Sequence, residues 1–336
     1  MTNNVATSAS GGGGGVYSSA ESEVVTVMRC EIAGNFTAGK GGGTYCAIVT
    51  NSFIHDNFAN TRFGGGCYLG TLVGGVVSNN VSIPAKSSEY ASGIHKMSEV
   101  RGCRLHATSL APQGEIRDCR ICGYTNGWYI APGANVMTNG WFAGPVKLTS
   151  GEFRARNCLF SGNRVGTMFD GNGTTGLSLI SCTVAGNVFD YTFENFGSAA
   201  NGPGYSVDTI YAENANGSGA ARGVWWKPQT MRLAFTNCLF GAASASQSYL
   251  SYVPVDCLSN VVARFDSANA SDPYSLKHSS PARGKGLVQD WMEGANDIRG
   301  EGYGRLRDEK GTGVPTVDIG CYQCWLDPLG LMLLLR

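Results

Sequence analysis

The chain reads as an all-β protein: a single-stranded right-handed parallel β-helix, a solenoid, with a non-repetitive C-terminal cap. Three observations predict this. Gly-Gly-Gly-x-Tyr occurs at Gly13 to Tyr17, Gly41 to Tyr45 and Gly64 to Tyr68, and each copy precedes an apolar stretch ending in Asn, at Asn35, Asn57 and Asn80. The Asn positions advance by 57 − 35 = 22 and 80 − 57 = 23, a fixed period in which each repeat buries its apolar face only against its neighbours. Further on, Cys-x-apolar runs begin at Cys103, Cys119, Cys158, Cys182 and Cys238, matching Cys30, and two of them end in Gly-Asn at Asn163 and Asn187 (187 − 163 = 24).

Each part of the repeat has a physical reading. Alternation of Cys inward, x outward and apolar inward describes a half-buried strand. Gly-Asn supplies the left-handed backbone that turns a corner, and Asn side chains on stacked coils can form a hydrogen-bonded ladder. Segment 11–80 holds too much Gly and too little i, i+3, i+4 apolar spacing for helices. With this period, residues 11–265 would make roughly ten coils, preceded by a disordered segment 1–10. The period loosens over about 84–150, where Pro84, Pro112, Pro132 and Pro145 fall, and over 190–235. Loops projecting there would carry a binding surface. Residues 266–325 are non-repetitive and would cover the open end of the solenoid, and 326–336 form an apolar tail.

Composition narrows the function classes. Of 336 residues 48 are Gly, without a strict triplet period, which excludes collagen. Lys plus Arg balance Asp plus Glu at 25 each, so no general basic field argues for nucleic acid. No apolar run is long enough to span a membrane, and the N-terminus has no signal-peptide pattern. The first coil opens abruptly at Gly11, which favours a fragment of a longer chain, the export signal being absent from this one.

The repeat Cys-x-apolar-x-Gly-Asn with Gly-Gly-Gly-x-Tyr resembles the bacterial right-handed β-helix proteins exported to the cell surface: autotransporter passengers, polymorphic outer-membrane proteins and pectate-lyase-like chains. The ending is similar too, with Tyr274 and Leu276, Ser280 to Ala282, Asp297, Gly300 and Arg305, then Val317 to Tyr322. Gly284 and Gln323 stand where acidic residues are usual, and the Asp297-to-Arg305 spacing is longer than usual, which puts a charge network in the cap in doubt. The resemblance implies an extracellular or outer-surface protein and leaves activity open, because the fold hosts many functions.

The leading expectation is therefore a structural, adhesin-like surface protein, monomeric and without a cofactor, presenting loops to polysaccharide or host glycans. The alternative is a β-helix polysaccharide lyase or glycoside hydrolase on acidic polysaccharide, which as a lyase would add calcium. The binding site is expected at Trp225 and Trp226 with Arg222 and Lys227, where rings would stack on sugars and cations pair with uronates; the same rings could instead clamp a loop. Asp56, Asp118, Asp170 and Asp190 fall at or near corners, with Asp170 and Asp190 one coil apart, and His55 beside Asp56 is an acid–base candidate. Two Cys-x-x-Cys pairs, Cys119 with Cys122 and Cys321 with Cys324, could hold zinc. The inward column of cysteines instead reads as buried thiols.

Overall fold

The structure is a computed structural model and describes residues 1–19, 25–61, 63–82, 93–106, 110–111, 115–122, 128–130, 135–138, 141–142, 146–148, 152–171, 176–194, 204–225, 233–241, 254–308 and 311–324. These residues form a parallel β-solenoid. Among them the one helical element is a single 3-10 turn, Asp290–Met292, and no helix is long and apolar enough to cross a membrane.

The coil has a constant core. In one coil Glu152–Arg156 is followed by Asn157 in the left-handed region, then Cys158, the strand Leu159–Ser161, left-handed Gly162, Asn163 and the strand Arg164–Asp170. The next coil repeats this as Gly176–Ile180, Ser181, Cys182, Thr183–Ala185, Gly186, Asn187 and Val188–Glu194. Leu159 pairs with Thr183 and Arg164 with Val188 in parallel register, so Cys158 and Cys182 stack in adjacent coils, both fully buried. Each short strand thus lies between two left-handed corners. The second corner is the expected Gly-Asn. The first, just before the Cys position, is taken by Arg29, Asn51, Asp118, Asn157, Ser181, Asp208, Asn237 and Asp256; Asn and Asp tolerate this conformation best after Gly.

These corners explain the cysteine column. The thiol donates back to the carbonyl two residues earlier, at 3.0 to 3.4 Å, from Cys119 to Arg117, Cys158 to Arg156, Cys182 to Ile180 and Cys238 to Thr236. Ser52 and Thr209 do the same with a hydroxyl, to Thr50 at 2.9 Å and Val207 at 3.1 Å. The position selects a small side chain that packs inward and satisfies a corner carbonyl.

The Asn ladder runs along the other corner. Asn35 donates its backbone N–H and Nδ2 to Asn57 Oδ1 at 3.0 and 2.8 Å, and Asn57 does the same to Asn80 at 3.0 and 2.9 Å. Asn163 donates to Asn187, and Asn187 to Asn214. The first block gains a further rung at Asn4, whose amide groups donate to Asn35 Oδ1. Val5–Ala6 also pairs with Phe36–Thr37. The segment 1–10, expected to be disordered, is therefore built into the stack. Asn4 and the strand it leads match backbone groups that the first full coil would otherwise leave unpaired.

The glycine triplets face one another across coils. A Cβ on Gly12 would collide with the Tyr45 ring, and one on Gly14 with the Gly42 carbonyl. This close approach lets Tyr17, Tyr45 and Tyr68 stack at 5.3 Å intervals. Coil length varies while the corners persist. Glu99 pairs with Glu115 (115 − 99 = 16), and Ser206 with Phe235 (235 − 206 = 29). Additional residues are accommodated outside the corner-strand-corner unit.

The described residues of the C-terminal segment pack on the side of the solenoid. They fold back along the flank of the stack and bury the outward residues of four successive coils. Leu159 packs with Cys321 and Tyr322; Ile210 and Leu239 pack with Ala263, Phe265, Leu276, Ala282 and Ile319, and Thr183 Oγ1 accepts from the Cys321 N–H at 3.2 Å. The strands Leu159–Ser161, Thr183–Ala185 and Ile210–Ala212 are accordingly buried on both faces.

A charge network holds this segment despite Gly284 and Gln323. Gly284 donates its N–H to Asp318 Oδ1 at 2.6 Å, Cys324 donates to Asp318 Oδ2, and Arg307 lies 3.6 Å from Asp318. Gln323 Oε1 accepts from the Asp318 N–H at 2.9 Å. Arg305 is fully buried and donates to the carbonyls of Gly320 and Asp318. On the solenoid side, Asp208 sits at a corner and accepts from Asn237 Nδ2, the Leu287 N–H and Gln289 Nε2. Burial raises the Asp208 and Asp318 pKa values, against the pull of these donors.

Candidate functional site

Of the expected binding residues, Trp226 and Lys227 lie outside the described residues, as does the tail 326–336. Arg222 ends a short antiparallel pairing in which Asn214 faces Arg222, and its guanidinium lies over the Trp225 ring at 4.0 Å. Trp225 is half-buried, its N–H donates to Thr192 Oγ1 at 3.0 Å, and its carbonyl accepts from the Thr192 N–H at 2.7 Å. One face of this ring is therefore already occupied, and its backbone is fastened to the neighbouring coil.

The expected carboxylate pair is displaced. Asp170 stacks on Glu194, while Asp190 is exposed and pairs with neither. The local step of 194 − 170 = 24 exceeds the 190 − 170 = 20 that separates the two aspartates. Thr167 donates its hydroxyl to Glu194 Oε2 at 2.6 Å. On a different sheet of the solenoid, His55 Nδ1 lies 2.6 Å from Asp56 Oδ2 and Nε2 lies 3.0 Å from Glu31 Oε1, with the ring against Phe53 at 4.0 Å. Burial alone would lower the His55 pKa; the hydrogen bonds to Asp56 and Glu31 outweigh it and raise it. Both ring nitrogens are engaged by carboxylate oxygens, an arrangement that favours the protonated ring.

For the proposed zinc ligands, Cys119 sits in the corner column, and Cys321 and Cys324 are buried within the C-terminal segment; the side chain of Cys122 lies outside the described residues. Among the described residues no three His, Cys, Asp or Glu side chains gather as a metal-holding group.

One concavity among the described residues has no distinct motif in the sequence to mark it. A cleft of about 450 Å³ lies where the far edge of the C-terminal segment meets the solenoid flank. Its described lining on the solenoid side is Gly102, Cys103 and Arg104, then Asp118, Cys119 and Arg120, the corner triplets of adjacent coils. The other wall is Asp272, Ile298, Arg299, Gly300 and Tyr322. Arg104 pairs in register with Arg120, and just before the corner Arg101 pairs with Arg117. All four are exposed. Two pairs of arginines are thus carried on strands one coil apart, with about 4.8 Å between backbones.

The cap wall is more nearly neutral. Arg299 is held by both oxygens of Asp297 and by the Gln323 carbonyl, and lies 4.0 Å over the Tyr303 ring. Burial raises the Asp272 pKa, with Arg299 pulling it down and Asp297 pushing it up, and the Tyr322 hydroxyl donates to it at 3.5 Å. A sequence signal for this site exists: Arg101-Gly102-Cys103-Arg104 recurs one short coil later as Arg117-Asp118-Cys119-Arg120 (117 − 101 = 16). It merges into the more general Cys-x-apolar pattern, which hides it.

The chain matches no protein-family model, and no curated protein or solved structure aligns with it significantly.

Proposed function

We propose that this protein is a cell-surface or secreted structural solenoid, adhesin-like, that holds acidic glycans on its flank. The observation that carries this reading is the double arginine rung: Arg101 with Arg117 and Arg104 with Arg120, each pair in register, beside a cleft of about 450 Å³. A guanidinium presents a planar fork suited to carboxylate or sulfate groups, and two arginines in register one coil apart place two such forks along one line of the flank. The cleft volume falls within the usual range for ligand sites, about 300 to 1,000 Å³.

The test is retention on immobilised pectate, alginate and heparin, with salt titration and with the product mixture followed for unsaturated oligosaccharides. Retention that weakens with salt and is lost in Arg104→Ala/Arg120→Ala, without product release, supports the reading. Retention that survives this double change but is lost in Trp225→Ala moves the site to Arg222 and Trp225. Absence of retention on all three matrices overturns acidic-glycan binding.

A second reading, a β-helix hydrolase, rests on the register pairing of Asp170 with Glu194, which stacks two carboxylate residues one coil apart, and glycoside hydrolysis uses two carboxylates. Steady release of reducing ends, lost in Glu194→Gln, would favour it.

A further inference from the structure

We propose that Cys257 and Cys238 form an oxidisable dithiol: Cys257 is the peroxide-reactive thiol and Cys238 the resolving one, and together they close a disulfide between two adjacent coils. The two residues occupy the same corner position. Leu239 pairs with Leu258 and Phe240 with Ser259 in parallel register, which sets Cys238 directly beside Cys257 in the next coil. Coils stack about 4.8 Å apart, inside the Cα separation of about 4.4 to 6.8 Å that a disulfide accepts. The Cys238 backbone N–H donates to Cys257 Sγ at 3.3 Å.

The pair differs from the other stacked pairs described in the column by its exposure. Cys103 with Cys119 and Cys158 with Cys182 are buried on both members. Cys257 is half-buried, and its neighbours Val255, Asp256, Ser259 and Asn260 are exposed. Its pKa is lowered, first by the neighbouring Cys238 side chain and then by the Cys238 and Asn237 backbone N–H groups, against burial and the Asp256 charge, which raise it. Its thiol donates to the Val255 carbonyl at 3.4 Å, and a partly exposed thiol of lowered pKa beside a second thiol is the arrangement found in peroxide-sensing cysteines.

The chemistry balances with hydrogen peroxide as oxidant. The Cys257 thiolate attacks one peroxide oxygen, the O–O bond breaks, and hydroxide leaves to take up a proton. This gives a sulfenic acid at Cys257. Cys238 loses its proton and attacks the Cys257 sulfur, forming the S–S bond and releasing the hydroxyl group as water. Two thiols and one peroxide become one disulfide and two waters; each sulfur gives up one electron and the peroxide is reduced by two.

The experiment treats the native full chain with hydrogen peroxide, blocks remaining thiols with N-ethylmaleimide after unfolding, and maps non-reduced peptides by mass spectrometry. The expected product joins the peptides containing Cys238 and Cys257, with Cys103, Cys119, Cys158 and Cys182 recovered as blocked thiols. In Cys238→Ser the disulfide is lost, and a dimedone adduct accumulates on Cys257. In Cys257→Ser neither product forms. Serine is a conservative probe because Ser52 already fills this corner position and makes the same bond to the carbonyl two residues back, and circular dichroism verifies folding of each variant. Three results overturn the proposal: a disulfide spread over the buried pairs, no dimedone adduct in Cys238→Ser, or Cys257 alkylated in the native protein no faster than Cys103. The expected ratio of those rates is about tenfold or more.

Discussion

The Cys321 backbone N–H donates to Thr183 Oγ1 at 3.2 Å, although the two residues are far apart in sequence. Thr183 is the outward residue of a Cys-x-apolar strand, the position that should face solvent in an uncovered solenoid. Its partner belongs to the C-terminal segment, which runs along the flank and converts outward positions into a second interior.

This footprint yields a matched test of one repeat position. Ile210 is fully buried beneath the C-terminal segment, whereas Arg104 at the equivalent site is exposed. Ile210→Asp places a charge in an apolar contact and is expected to cost about 3 kcal/mol or more. Arg104→Ala should stay within about 0.5 kcal/mol. Chemical denaturation measures both, and limited proteolysis should show faster cutting within 266–324 in Ile210→Asp alone.

The Asn ladder makes a second prediction. Asn57 Oδ1 accepts two donors from Asn35, and Asn57 Nδ2 donates to the Ile32 carbonyl at 2.8 Å and to Asn80 Oδ1 at 2.9 Å. Asn57→Ala leaves several buried groups unpaired, at a cost of about 1 to 3 kcal/mol for each group left unpaired. Asn57→Asp retains the acceptor but loses both Nδ2 donors. Both variants should lower the urea midpoint by clearly more than Asn216→Ala, on an exposed loop.

His55 should titrate above its ordinary value of 6.5, as followed by NMR of its ring protons. A raised folded pKa means that the stabilisation from this group is fully present below pH 6.5 and is lost as pH rises through the folded value. Glu31→Gln with Asp56→Asn should bring the pKa down and remove that part of the pH dependence. An unchanged titration in the double variant would show that the two carboxylates do not hold the ring in solution.

The buried thiols should be inert in the native state. Burial pushes the Cys67 pKa up to about 12, so alkylation at mildly alkaline pH should label it only after unfolding. Quantitative mass spectrometry of native and denatured samples measures the difference; rapid native labelling of Cys67 would contradict its place in the core.

Much of the candidate site was written in the chain but not readable from it. The Arg-x-Cys-Arg repeat gives two cationic corners, yet only the register of Arg104 on Arg120 shows that they reinforce one another. Their distance from Tyr322 and Asp272 in sequence gives no sign of a shared cleft. At Asp170 the reverse holds: a separation of 190 − 170 = 20 pointed to Asp190 as its neighbour, and the local coil length brought Glu194 instead.

The sequence by itself determined the coil: left-handed corners at Gly, Asn and Asp, a small inward side chain at each Cys position, and Asn side chains that must pair because they are buried. These are short-range demands of backbone conformation and hydrogen bonding, and each repeat states them locally. The tertiary structure decided what covers the flank and where a cleft opens. Outward residues change from Glu31 and Arg104 to Leu159, Ile210 and Leu239 along the chain, but an apolar outward residue specifies only that something must bury it. The identity of that partner, residues 263–324, follows from packing and from the network around Asp208, Asp318 and Arg305, contacts between segments far apart in sequence and therefore invisible to any local pattern.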